Sequence, residues 1–142
     1  MSITANWYPS APRYMYAGNL VTTGTFKIAL LGTGGTYNAS HTLFDHVNPS
    51  NANQLSGEGY TAGGATVTVT SSNTSTASTF TLAAAASWEG ITLNANVANA
   101  VLYESVSGRL MMHLAFSPTV ALAGQDFQIN PPSPAASITL PA

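Results

Sequence analysis

Cysteine is absent from the chain, which rules out disulfides and thiolate metal sites and leaves the redox compartment open. Charge is almost as scarce. Arg13, Lys27 and Arg109 are the three cations, and with Asp45, Glu58, Glu89, Glu104 and Asp126 they make up 6% of 142 residues, against roughly a quarter in an average soluble domain. Three scattered cations do not neutralise a row of phosphates, so nucleic acid is not expected as a partner. No apolar stretch approaches the ~18 residues of a membrane span, and no membrane partner is expected. The opening residues MSITANWYPS have neither a basic region nor an apolar run and are not read as a secretory signal. Low net charge, −2, gives little repulsion between copies and suits a protein that lives in an assembly.

Neutral polar groups take the place of charge: 18 Thr, 15 Ser and 11 Asn. Two of the asparagines open glycosylation sequons (Asn38-Ala-Ser and Asn73-Thr-Ser), which a chain of this composition produces by chance. Disorder is not implied, because 45% of residues are hydrophobic and they fall in periodic segments. The length fits one domain spanning residues 1–142. Short alternating runs succeed one another at 25–31 (TFKIALL, with Phe26, Ile28 and Leu30 on one face), 65–70, 78–82, 91–97, 98–103 and 110–116, then around Phe127/Ile129 and Ile138/Leu140. The run at 98–103 is dense enough to be covered on both faces. Seven or eight such strands separated by Gly, Pro, Asn and Ser indicate an all-β antiparallel sandwich or barrel. Only 13–20 and 40–47 offer helices, the second with Ser40 as a cap. Residues 1–16, with Pro9 and Pro12, read as an extended arm outside the sheet. Residues 131–142 read as a proline-rich tail with one last strand, and the four alanines at 83–86 as a tightly packed corner.

The glycine-rich stretch SGEGYTAGG at 56–64 invites a phosphate-binding reading, since Gly57, Gly59 and Ala62 match the spacing of a dinucleotide loop. Such a loop needs a helix behind it, whereas ATVTVT follows and predicts a strand. Gly57, Gly59, Tyr60, Gly63 and Gly64 are therefore a structural turn, with positive φ expected at one or more of the glycines and a cost above ~1 kcal/mol for alanine there. No cofactor is expected.

Chemistry has few instruments here. His41 and Asp45, four apart with His46 beside them, supply two metal ligands at best, where a site needs three or four. His113 alternates out of the Leu110/Met112/Leu114/Phe116 face and reads as a polar residue at a sheet surface or interface. No two carboxylates are adjacent in sequence to form an acid pair, and G-x-S-x-G is missing. The chain is read as having no catalytic, cofactor or metal residues and as not an enzyme. Trp7, Tyr8, Tyr14 and Tyr16 crowd the N-terminal arm. They are taken as a partner interface, because Trp and Tyr bring large contact area at low entropic cost; the alternative is that they dock on their own core. Trp88, between the alanine run and a strand, is read as core.

The order FKIALL (26–31), SGEGYTAGG (56–64), SWEGIT (87–92), AVLY (100–103), SGRL (107–110) and Phe116 resembles a group of tailed-bacteriophage virion structural proteins of the small β-sandwich type. The similarity spans about residues 24 to 130, and the 56–64 loop is its sharpest element. It departs from the pattern in the Thr/Ser-rich stretch 71–79 and the C-terminal prolines. The resemblance implies a small β-sandwich component of the virion, made in the host bacterial cytoplasm, without saying which part of the particle. The scarcity of catalytic groups, the neutral polar face and the arm favour a jelly-roll-type protein on the outer capsid surface. There it would act as a decoration (cement) protein that binds the major capsid protein and stabilises the shell by bridging capsomers. A homotrimer is expected, with a dimer as the alternative. The other function is a tail-fibre or baseplate component that binds a receptor or glycan.

Overall fold

The computed structural model describes residues 2–11, 25–67, 69–73, 77–82, 86–129 and 137–141. These residues are mostly antiparallel β: β1 (Ser2–Trp7), β2 (Phe26–Leu31), β3 (Gly57–Glu58), β4 (Ala65–Val67), β5 (Val69–Asn73), β6 (Ala77–Leu82), β7 (Ala86–Leu93), β8 (Val97–Glu104), β9 (Leu110–Val120), β10 (Ala123–Ile129) and β11 (Ser137–Pro141). Hydrogen bonds order them as β1-β9-β8-β2-β4, as β10-β7-β3 and as β11-β6-β5. The helical candidate at 13–20, the prolines at 131–134 and three of the four alanines at 83–86 lie outside the described residues.

Period-two alternation decides what each strand buries. In β2, Phe26, Ile28 and Leu30 enter one apolar cluster, while Ala29 and Leu31 enter a second on the opposite face. The first cluster joins the five-stranded sheet to β7 and β10 through Trp88, Ile91 and Phe127, with the Trp88 and Phe127 rings 5.9 Å apart. The expectation that Trp88 is core holds. The second cluster gathers Tyr8, Val101, Tyr103 and Leu110 under Val47, with Tyr37 and Phe44 packed against it; Phe44 stacks on Tyr103 at 4.4 Å. Every residue of β8 is consequently buried, as its dense apolar composition predicts. Burying each large apolar side chain contributes roughly 1.5–3 kcal/mol.

Local polar chemistry redraws several boundaries. The helix expected over 40–47 is one turn, α1 (Phe44–Val47), followed by a 3-10 turn, Pro49–Asn51. Ser40 does not cap it: its N–H and hydroxyl both donate to Asn38 Oδ1, at 2.9 and 2.7 Å. His46 Nδ1 instead accepts the N–H groups of Thr42 and Leu43 at 3.1 and 3.3 Å, taking up donors that a helix start leaves unpaired. The strand expected over 91–97 is interrupted at Asn94. There the side chain accepts the Ser56 N–H at 3.0 Å and the backbone N–H donates to Ser56 O at 2.9 Å, an asparagine competing with the ladder.

The largest correction concerns the N-terminal arm. Residues 2–7 are a sheet strand, paired with β9 from Ser2↔Ser117 to Trp7↔Met112 without a break. Their alternation supplies the reason: Ile3, Ala5 and Trp7 stand opposite Phe116, Leu114 and Met112, all three buried in the first cluster. Pro9 comes after the strand has ended, so it does not keep the segment out of the sheet.

Candidate functional site

The glycine-rich stretch contains β3 and runs up to β4, so a strand follows it, as its sequence predicts. Gly57, Gly59, Gly63 and Gly64 all have positive φ (156°, 77°, 97° and 92°). The loop is bolted to the sheet through two tyrosines. Tyr60 is buried, and its hydroxyl oxygen accepts the Leu30 N–H at 3.0 Å and the Gln54 amide at 2.8 Å. Tyr103 donates its hydroxyl to Gly63 O at 2.6 Å. Burial raises the Tyr60 hydroxyl pKa, against the opposing pull of the Gln54 and Leu30 bonds, and pushes Tyr103 up to about 12, with Tyr60 adding to the rise. Backbone and side-chain donors here are spent on the fold.

Tyr60→Phe is expected to cost about 1–3 kcal/mol, because the Leu30 N–H and the Gln54 amide lose a buried acceptor together. Thermal melts of the two proteins measure this, and a variant as stable as the parent would show the network to be dispensable.

The N-terminal aromatics separate. Trp7 is half-buried, packed against the first cluster. Tyr8 is wholly buried in the second cluster, 5.3 Å from the Tyr37 ring and edge-on to His113 at 6.4 Å. Their reading as a partner interface is therefore corrected for Tyr8, whose ring is packed inside its own domain. Tyr14 and Tyr16 lie outside the described residues.

His113 is likewise not a surface residue. It is 1% exposed, and its Nε2 is 2.9 Å from Gly35 O, an acceptor only, so Nε2 carries the proton and Nδ1 is left without a partner. Alternation places His113 on the strand face opposite Met112 and Leu114, and that face is covered by Tyr8 and Tyr37 instead of water. Burial lowers the His113 pKa, with the Gly35 bond opposing it. A group whose folded pKa lies below its unfolded value contributes stability that is complete above the unfolded value and lost as pH falls through the folded one. The protein should therefore lose stability on acidification from about pH 6.5. His113→Gln, which keeps a donor for Gly35, should flatten the melting temperature between pH 7.5 and 5.5; an unchanged slope would assign the effect elsewhere.

Of the carboxylates, Glu104 is buried at the end of β8, where its Oε2 accepts the Ser107 N–H at 2.6 Å and the Ser107 hydroxyl at 2.7 Å. Burial pushes its pKa up, and these bonds outweigh it to leave the pKa lowered; its loss of stability falls in a more acidic window than that of His113. The His41 and His46 rings are 5.9 Å apart, and with His46 Nδ1 occupied by backbone N–H groups they do not form a cation cage. Among the described residues no three His, Asp or Glu side chains converge.

Described residues line two surface clefts. One, of about 490 Å³, is lined by Asn51, Gln54, Ser56, Tyr60 and Asn94 among others; the second, of about 320 Å³, by Phe44, Asp45, Tyr103 and Ser107 among others. The first is walled by neutral amides and hydroxyls, the groups that bind other neutral polar surfaces. The asparagines that shape its rim had no periodic signature in the sequence. Behind the rim, the buried Asn48 fixes the backbone of this segment, its Oδ1 accepting the N–H groups of Asn53 and Gln54, both at 2.8 Å. No protein-family model, curated protein or solved structure matches the chain.

Proposed function

We propose that the protein is a bacteriophage head decoration protein, a non-enzymatic β-sandwich of jelly-roll type that sits on the outer capsid surface as a homo-oligomer and bridges copies of the major capsid protein. One observation carries the reading. The residues on which the phage resemblance rests do framework work in the structure: Tyr60 holds β2, Tyr103 holds the glycine loop, and the 107–110 turn is closed on Glu104. A family signature made of fold-holding residues suits a structural role and an exterior free to vary. The exterior is neutral and polar, so its grip on a shell rests on buried contact and hydrogen bonds, which salt does not screen. With Tyr8 inside the fold, the grip is assigned to loop 33–40, exposed except at Gly35 and Tyr37.

Stoichiometry in purified virions tests the proposal. Hundreds of copies per particle are expected for a head protein. A dozen or so would move the protein to the tail, where the amide-lined cleft beside Tyr60 becomes the candidate glycan site. Absence from the particle would end both readings.

A further inference from the structure

Among the described residues, β1 pairs with one strand, β9. Tyr8 donates its N–H to Met111 O at 2.9 Å, the residue directly opposite it in the register that pairs Trp7 with Met112. Antiparallel ladders alternate, so Ser2, Thr4 and Asn6 exchange hydrogen bonds with β9, and the N–H and C=O groups of Ile3 and Ala5 point away from it. Trp7 follows the same parity, since its carbonyl accepts the Tyr37 hydroxyl at 3.4 Å from that outer side. Among the described residues no strand lies beyond β1, and Ile3, Thr4, Ala5 and Asn6 are all exposed.

Edge strands are ordinarily guarded by charge, proline, bulges or shortness. Two of the other sheet edges, β4 and β10, follow that rule. β4 has three residues, and β10 carries Asp126 and two register shifts. β1 has no charged residue, no proline and an unbroken register.

We infer that the outer edge of β1 at Ile3, Thr4 and Ala5 docks β1 of a second copy of this chain, antiparallel about a twofold axis at Thr4. Ile3 and Ala5 are symmetric about Thr4, so the outward groups of Ile3 meet those of Ala5 in the second copy and the reverse. Thr4 faces its own counterpart in a non-hydrogen-bonded pair, where cross-strand threonine hydroxyls can bond. The Ile3 side chain, 40% exposed in the single chain, is laid against Ala5 of the second copy. A twofold contact sets the strand against itself, so a charge on β1 would stand close to its own copy, and a strand without charge avoids that repulsion. Such an interface is isologous and closes at two subunits, which selects the dimer over the trimer expected from sequence.

The absence of cysteine makes the test clean. Thr4→Cys supplies the only thiol, at a pair whose spacing suits a disulfide. Under mild oxidation it should form a covalent dimer about tenfold or more faster than Asn6→Cys, whose thiol stands opposite Ser2 and too far from its counterpart. Sedimentation of the full chain should show a dimer. Ala5→Pro removes an outward N–H while sparing the bonds to β9, and should raise the dissociation constant about tenfold or more; Ile3→Lys, which faces solvent and does not touch the ladder, should weaken the dimer in a salt-dependent way. A monomer or trimer in sedimentation, equal cross-linking at both cysteines, or a dimer indifferent to both substitutions would overturn the inference.

Discussion

Replacing Gly64 with alanine is expected to destabilise the protein by about 3 kcal/mol or more, which at roughly 3 °C per kcal/mol lowers the melting temperature by about 10 °C. Two effects add. The residue sits at φ 92°, a conformation that costs an L-residue about 1–2 kcal/mol. A Cβ there would also overlap the carbonyl oxygen of Ile28 and stand 2.8 Å from Ala29 Cα, and these are backbone atoms of a buried strand that cannot swing aside. Gly108 separates the two terms. It has φ 76° with nothing within 4 Å of the same Cβ, so Gly108→Ala should show the conformational cost alone, about 1 kcal/mol. Chemical denaturation of both variants checks the pair. Equal losses would mean that β2 yields to the added methyl and that the close approach is not what holds glycine at position 64.

Tyr8→Ala is expected to cost about 3–5 kcal/mol, the range for truncating a large buried aromatic ring. The ring fills space between Tyr37, His113 and the outer face of β8 and β9, and removing it leaves a void beside an edge strand. Tyr8→Phe is expected to lie within about 0.5 kcal/mol of the parent or to stabilise it, because the hydroxyl is buried without a hydrogen-bond partner and its desolvation is uncompensated. Burial also drives the hydroxyl pKa well above that of a free tyrosine, with Tyr37 adding to the rise, so it stays protonated throughout the usable pH range. A Tyr8→Phe variant as damaged as Tyr8→Ala would reveal a role for the hydroxyl itself. Removal of the first ten residues would strip an edge strand and a core ring from the domain.

Much of this protein was legible in one dimension because β-structure writes itself as alternation. Phe26, Ile28 and Leu30, the doubly buried run at 98–103, the core position of Trp88 and the structural reading of the 56–64 loop all follow from period two, β-branching and glycine placement. Local polar bonding was not legible. Whether Asn94 continues a strand or breaks it, and whether Ser40 caps a helix or folds back on Asn38, depends on which backbone group lies within reach, and Ser56 is 38 residues away from Asn94.

The sequence by itself determined the class of structure, the near absence of charge and the exclusion of thiol chemistry, since these depend on residue types and their period. Tertiary structure alone decided which faces meet water. His113 and Tyr8 look like surface groups from their neighbours in the chain. They are interior because segments distant in sequence, carrying Tyr37, Phe44 and Val47, close over the outer face of the five-stranded sheet. Alternation tells how a strand divides its residues between two faces; only the packing of the whole chain tells whether one face or both are covered.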